Sequence, residues 1–185
     1  MMNHSGGAEG SDTAWETEGA RYGIPTIAYS FEGHKCLSRN RYILTAKELE
    51  EGWRHVEIAN NTLHRSLWKL PVYIRNLLSR NWFQVKTAEA IYAVGVFEKK
   101  NETVNVGTGW AVQMAIDDGG KSIYVLEQTT GDWHQYNPVA MCLQRMDNIP
   151  ELTEHFAGIG TRKLNEVGRQ AISHVLSINL GILAD

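Results

Sequence analysis

The sequence predicts an α/β fold: an open, mostly parallel sheet with helices on both faces. Two observations carry this expectation. Short apolar, β-rich runs alternate along the chain with stretches whose apolar residues recur at three- and four-residue steps, the alternation of parallel strands joined by helical crossovers. Three glycine-rich turns, at 5–12, 106–110 and 157–162, each follow a strand-like run and precede a helix-like one. At 185 residues the chain is sized for one domain, 1–185, with a substantial core.

The elements follow in order. Residues 1–4 stand directly before the first glycine turn, where a strand belongs. A helix is expected over about 11–22, with Ser11 or Asp12 as its cap and Gly23 ending it. Thr-Ile-Ala-Tyr-Ser at 26–30 reads as a buried strand, and 31–40 as a polar loop carrying Gly33, His34, Lys35 and Cys36. Thr45-Ala-Lys-Glu48 is a capping box, opening a long helix whose apolar positions are Leu49, Trp53, Val56, Leu63 and Leu67. Pro71 suits the start of a helix over roughly 72–86, with Leu77, Leu78, Trp82 and Val85 on its apolar side and Arg75 and Arg80 on the same helix.

Residues 90–97 are strand-like, and polar 98–105 reads as a loop or a short hairpin insertion. A helix over 107–117 begins at Gly107-Thr108-Gly109 and ends at Gly119-Gly120. Residues 122–127 form the next strand, and 129–132 a turn from which 133–136 pairs back as a hairpin arm. The segment 138–150 carries no clear period. A last strand at 156–159 leads through Gly160-Thr161-Arg162 into a helix over about 164–177, whose apolar face is Leu164, Val167, Ala171, Val175 and Ile178.

Composition narrows the function. With 43% hydrophobic and 21% charged residues the chain is globular rather than disordered. A net charge of −3 supplies no global basic field, so neither nucleic acid nor an anionic membrane is an expected partner. Two cysteines, Cys36 and Cys142, have no metal-type spacing and suggest a reducing compartment. No apolar leader or spanning segment stands out, and a cytoplasmic location is expected.

The chemistry concentrates at the glycine turns. Glycine admits positive φ and lets a ligand approach the backbone, and a helix opening beyond it offers N–H groups to an anion. Ser5, Gly6, Gly7, Gly10, Ser11 and Asp12 in the first turn are candidate phosphate-binding positions. So are Gly107, Thr108 and Gly109 in the second, and Gly160, Thr161 and Arg162 in the third. Ser11 either donates to phosphate or caps its helix. The Asp12 carboxylate, which a phosphate on the same N–H groups would repel, either caps or binds ribose hydroxyls. Trp110 is read as a core residue or a stacking platform, Arg162 as a phosphate fork or a surface ion pair. His34 and Cys36 lack a second ligand pair, so no metal and no cofactor is expected.

Ser-Gly-Gly-Ala-Glu-Gly-Ser-Asp-Thr at 5–13 resembles the signature of the SLOG superfamily of Rossmann-like proteins, which includes the LOG (lysine-decarboxylase-like) nucleotide phosphoribohydrolases and the DprA DNA-processing proteins. Phe-Ala-Gly-Ile-Gly-Thr-Arg at 156–162 resembles the superfamily's strand–GSR–helix opening, and 90–95 with Gly-Thr-Gly-Trp-Ala at 107–111 resembles its later strand and glycine turn. In that superfamily the GSR-type turn precedes the SGGA-type turn. Here it lies at the C-terminal end of the chain, so the resemblance implies a circularly permuted Rossmann-like sheet with 156–159 as an inner strand beside 1–4.

By position, Arg80 matches the hydrolases' catalytic arginine and Gln113 their catalytic glutamate. The proline and first glycine of the PGGxGTxxE motif that carries this glutamate in the family are replaced by Asn105 and Val106. Gln113 cannot ionise, so Glu9, Asp12 or Glu16 would have to supply a carboxylate for N-glycosidic chemistry. The resemblance therefore implies a nucleotide or nucleotide-derived phosphate ligand, held by a sensor, carrier or sequestering protein. The alternative is a phosphoribohydrolase cleaving the N-glycosidic bond of a nucleoside monophosphate. The apolar helical surface over 45–86, with Trp53 and Trp68, suggests a homodimer.

Overall fold

The computed structural model of the chain describes residues 1–98 and 103–181. In chain order the elements are β1 (Met2–Ser5), α1 (Ser11–Arg21), β2 (Thr26–Ser30), β3 (Arg41–Ile43), α2 (Ala46–Leu63), α3 (Val72–Thr87), β4 (Ala90–Gly95), β5 (Phe97–Glu98), β6 (Thr103–Val104), α4 (Val106–Asp118), β7 (Ser122–Glu127), β8 (Asp132–Asn137), β9 (Cys142–Arg145), β10 (His155–Gly160) and α5 (Glu166–Leu180). Eight strands form one sheet in the order β3-β2-β1-β10-β4-β7-β8-β9. From β3 to β7 all neighbours run parallel, and β8 and β9 add an antiparallel edge. This is a Rossmann-like open sheet, as the sequence predicts.

The last strand is an inner one. β10 pairs with β1 through Asn3↔Phe156 and with β4 along its whole length, Phe156↔Ala90 to Gly160↔Val94. Such a strand is buried on both faces and reads as a continuous apolar run. β4 displays this by alternation. Ala90, Tyr92 and Val94 join Trp15, Phe156, Ile172, Val175 and Leu176 under α1 and α5. Ile91 and Ala93 join Val56, Leu78, Trp82, Val85, Val112 and Met114 under α2, α3 and α4.

Two glycines set how closely the helices approach. A Cβ on Gly158 of β10 would lie 2.4 Å from the Trp15 ring of α1, and one on Gly52 of α2 would lie 2.2 Å from the Ser79 carbonyl oxygen of α3.

Several expectations are corrected. α2 ends at Leu63, where His64 turns left-handed (φ 48°), so Leu67 lies beyond the helix. α5 starts at Glu166, because the Asn165 side chain accepts the Gly168 N–H at 2.9 Å and fixes the first turn there. β3 and β9 are additional short strands within segments read as loop or left unassigned. The hairpin insertion exists as the antiparallel pair β5–β6, while 99–102 lie outside the described residues. Among the described residues, no helix is long and apolar enough to cross a membrane.

A chain of hydrogen bonds ties β1, β2 and β10 to α3. The Thr87 hydroxyl donates to the Phe83 carbonyl at 2.7 Å, so the Tyr29 hydroxyl, 3.0 Å away, donates to Thr87. His4 Nδ1 then donates to Tyr29 at 3.1 Å, and His4 Nε2 accepts from His155 Nδ1 at 3.0 Å. His4 must stay neutral for this order to hold. Burial, reinforced by the neighbouring His155, pulls its pKa from 6.5 down to about 4.

The sign of the linkage follows. Between pH 6.5 and about 4 the unfolded chain takes a proton that native His4 refuses, so its contribution is complete above pH 6.5 and is lost as the pH falls through that window. His34, also lowered to about 4, acts in the same window. Urea unfolding at a series of pH values is expected to show stability rising from pH 4 to 6.5, with a shallower slope in His4→Gln that His34 keeps above zero.

Candidate functional site

β1, β10 and β4 are parallel neighbours, so the turns leaving them share one rim of the sheet, the rim where ligands bind in open α/β folds. Two of these turns touch. The Ser11 N–H donates to the Thr161 carbonyl at 3.0 Å, and the Thr161 N–H donates to the Val94 carbonyl at 2.8 Å. Gly10 adopts φ 97°, and a Cβ there would lie 2.5 Å from the Thr161 carbonyl oxygen. A Cβ on Gly160 would lie 2.3 Å from the Val94 carbonyl oxygen and 2.6 Å from Ser11 Oγ. The first and third turns are thus packed backbone to backbone.

At their junction a carboxylate is buried. Asp12 is 4% exposed. Its Oδ2 accepts the Ala8 N–H at 3.3 Å, and the Gly6 and Gly160 N–H groups also donate to the carboxylate. Arg80 Nη1 lies 3.7 Å from Oδ2. The guanidinium occupies the space a Gly6 side chain would need, with Nη1 1.5 Å from an ideal Cβ. Arg80 Nη1 also donates to Gln84 Oε1, while Arg80 Nε and Gln84 Nε2 are buried without a hydrogen-bond partner. Burial pushes the Asp12 carboxyl up, against the pull of Arg80 and the three N–H groups, and pulls the Arg80 guanidinium down.

This arrangement corrects the capping expectation for α1. Gly10 is the cap residue, so no side chain caps the helix N–H groups. The Ser11 hydroxyl donates instead to the Thr161 carbonyl at 3.0 Å, and Asp12 points back into its own turn. An ionised carboxylate offers about four acceptor sites. Three N–H groups use these, the guanidinium lies 3.7 Å away, and the carboxylate is buried, so Asp12 holds the turns together rather than presenting an acceptor to ribose. Ser5 Oγ accepts the Gly7 N–H at 3.0 Å, which closes the turn further.

The loop after β2 folds over the first turn. The Leu37 N–H donates to the Gly7 carbonyl at 2.8 Å, and Cys36 Sγ lies 2.2 Å from an ideal Cβ on Gly7, which adopts φ 61°. His34 bonds Ser30 Oγ through Nδ1 at 3.0 Å and stacks on Phe31 at 4.9 Å, and Tyr73 of α3 meets Phe31 edge-on at 5.5 Å. Burial, followed by the positive charges of Arg80 and Arg162, brings the His34 pKa to about 4. Arg162 is exposed and forms no ion pair with any of the described residues. Because α5 starts at Glu166, Gly160, Thr161 and Arg162 form a bend rather than a helix N-terminus.

The second turn shares the rim but is packed by its own surroundings. A Cβ on Gly109 would lie 2.0 Å from the Val104 carbonyl oxygen and 3.0 Å from Arg65 Nη2. Arg65 pairs with Glu98 at 3.3 Å, donates to Val104 O at 3.1 Å and lies 5.7 Å from the Trp110 ring. Trp110 and Thr108 are buried, and Gly107 is exposed. Gln113 is buried on α4 and donates to Asp117 of its own helix at 2.8 Å. No hydrogen bond joins Gln113 to Arg80.

Sequence reasoning passed over three polar residues that organise the rim. Glu127, at the end of β7, accepts the Thr129 N–H at 3.0 Å and its hydroxyl at 2.8 Å, as well as the Phe97 N–H. Gln128 donates to the Lys163 carbonyl at 3.1 Å and accepts the Asn165 N–H at 3.1 Å, tying β7 to the bend after β10. Asn165, three residues before Gly168 and the helical period of α5, is the one signal that capping rules reveal.

The clasp has a measurable consequence. Asp12→Ala strands a buried guanidinium and frees three N–H groups, with an expected cost of about 3–5 kcal/mol in urea unfolding. Adding Arg80→Met is expected to recover part of that loss, because the stranded charge goes with it.

No protein-family model matches the chain, nor does any curated protein or solved structure.

Proposed function

We propose that the chain binds a nucleotide or nucleotide-derived phosphate ligand at the rim where the turns at 5–12 and 160–162 meet, acting as a sensor, carrier or sequestering protein. The observation that carries this reading is Arg162. It is an exposed arginine with no ion pair among the described residues, set against Gly10 by the packing of the two turns. A guanidinium on a preformed bend suits a phosphate, which it can fork with two parallel hydrogen bonds. The SLOG resemblance of three separate motifs points to the same class of ligand.

Binding without turnover is the reading the rim supports best. Arg80 is buried behind Gly6 and held by Asp12 and Gln84, and Gln113 is held by Asp117. Neither presents a free ionisable group to an N-glycosidic bond, so the phosphoribohydrolase reading is left with Glu9 or Glu16 as its carboxylate. We further propose that the chain self-associates through the exposed apolar stretch leading into α3, where Trp68 is 89% exposed and Val72, Tyr73 and Ile74 are also exposed. A monomeric mass in light scattering at micromolar concentration would exclude this.

Calorimetry with AMP, ADP-ribose, NAD and cyclic nucleotides tests the main proposal. At least one is expected to bind. Arg162→Ala is expected to weaken that ligand by about tenfold or more with an unchanged thermal midpoint, the size of one lost charge-assisted pair at an exposed residue. Silence across the panel from folded protein would reject the reading.

A further inference from the structure

A groove opens beside the first glycine turn, on the outer side of the loop that covers it. Its volume is about 460 Å³, within the range of small-molecule sites. Phe31, Glu32, His34, Arg39, Arg41 and Ile43 line it. His34 lines it and belongs to the loop whose Leu37 N–H bonds the Gly7 carbonyl at 2.8 Å, so the groove adjoins the first turn.

The side chains in the groove have a specific chemistry. Arg39 and Arg41 are exposed and form no ion pair among the described residues, although the whole chain is acidic with a net charge of −3. Two unneutralised guanidinium groups at the edge of a groove form a seat for an anion. Glu32 is the one carboxylate there, and it would repel an anion placed on it. It suits a donor instead.

Glu32 stands two residues past the end of β2, the strand reached from the glycine turn through α1. In a nucleotide-binding strand–helix–strand unit, a carboxylate roughly 20 residues on from the glycine turn accepts the ribose hydroxyls. Asp12 is buried and engaged by the chain itself, whereas Glu32 is exposed in the groove and offers an acceptor there.

We infer that this groove takes the ribose and the second phosphate of a nucleoside diphosphate, free or extended as in ADP-ribose. This rests on the nucleotide reading above and names its ligand class. Arg162 at the rim serves one phosphate. Arg80 is spent on Asp12 and Gln84, so a second phosphate requires Arg39 and Arg41. Glu32 accepts from the 2′- and 3′-hydroxyls. His34, with its pKa lowered to about 4, stays neutral near pH 7.

The test is calorimetry on the full chain with AMP, ADP, ADP-ribose and 2′,3′-dideoxy-ADP. ADP and ADP-ribose are expected to bind about tenfold or more tighter than AMP. The Arg39→Ala/Arg41→Ala double variant should abolish that preference and leave AMP affinity unchanged. Glu32→Ala should erase the preference for ADP over dideoxy-ADP. All three positions are exposed, and an unchanged thermal melt certifies the fold.

If AMP binds as tightly as ADP, or the double variant keeps the preference, the groove assignment is overturned while nucleotide binding at the rim stands. Equal affinities for ADP and dideoxy-ADP in the native chain overturn the role of Glu32. If no nucleotide binds, both readings fall together.

Discussion

The buried pair of Asp12 and Arg80 is the constraint on which the arrangement of the rim depends. Removing two charges from water is costly, and such a pair survives only where hydrogen bonds satisfy what remains of each group. Asp12 meets that condition through the N–H groups of Gly6, Ala8 and Gly160. Arg80 meets it in part, through Asp12 and Gln84, and leaves Nε without a partner. The pair is therefore better understood as a device for specificity than as a source of stability. It joins the turn after β1, the end of β10 and the middle of α3, so two strand ends and a helix are held in one geometry. Gly6 is the residue that makes room, because any side chain there would displace the guanidinium.

How much of this was legible in the sequence depends on the kind of force involved. The strands at 26–30 and 122–127 were readable because their side chains face a core, and burial leaves an apolar signature. The inner position of β10 followed from the same logic joined to the SLOG resemblance, and the Thr45–Glu48 capping box was readable because both its bonds are local. β3 was not. Its three residues, Arg41, Tyr42 and Ile43, are all exposed, so it is defined by backbone pairing with β2 rather than by a buried face. β9 sends only the partly buried Leu143 toward the core, too little to leave a period in the sequence. Asp12 was misassigned for a related reason. Its position at a helix start matches a cap, and only the third dimension reveals that Gly160, far along the chain, competes for the same carboxylate.

The glycine turns illustrate the limit most clearly. Gly6, Gly7, Gly10, Gly109 and Gly160 all proved necessary, but each for close approach of some other part of the chain: Arg80, Cys36, Thr161, Val104 and Val94 respectively. A glycine that admits a ligand and one that admits a guanidinium or a carbonyl are indistinguishable in sequence, because both signal only the absence of a Cβ. The pattern thus fixed where the backbone crowds together, and left open what fills the crowded space.

That distinction governs where recognition can reside. In a phosphate-binding turn the N–H groups face the ligand, and the ligand's charge completes the turn. Here a carboxylate of the chain completes it, and a second anion on the same N–H groups would face Asp12 at close range in a low-dielectric site. In the proposed reading, selectivity for an anion therefore passes outward, from the backbone to the exposed Arg39 on the loop after β2, Arg41 at the start of β3 and Arg162 on the bend after β10. Such side chains gain less per contact than buried amides, because water screens them. Under that proposal, affinity comes from several of them acting on one ligand, which favours a ligand long enough to reach from the bend to the groove over a single phosphate.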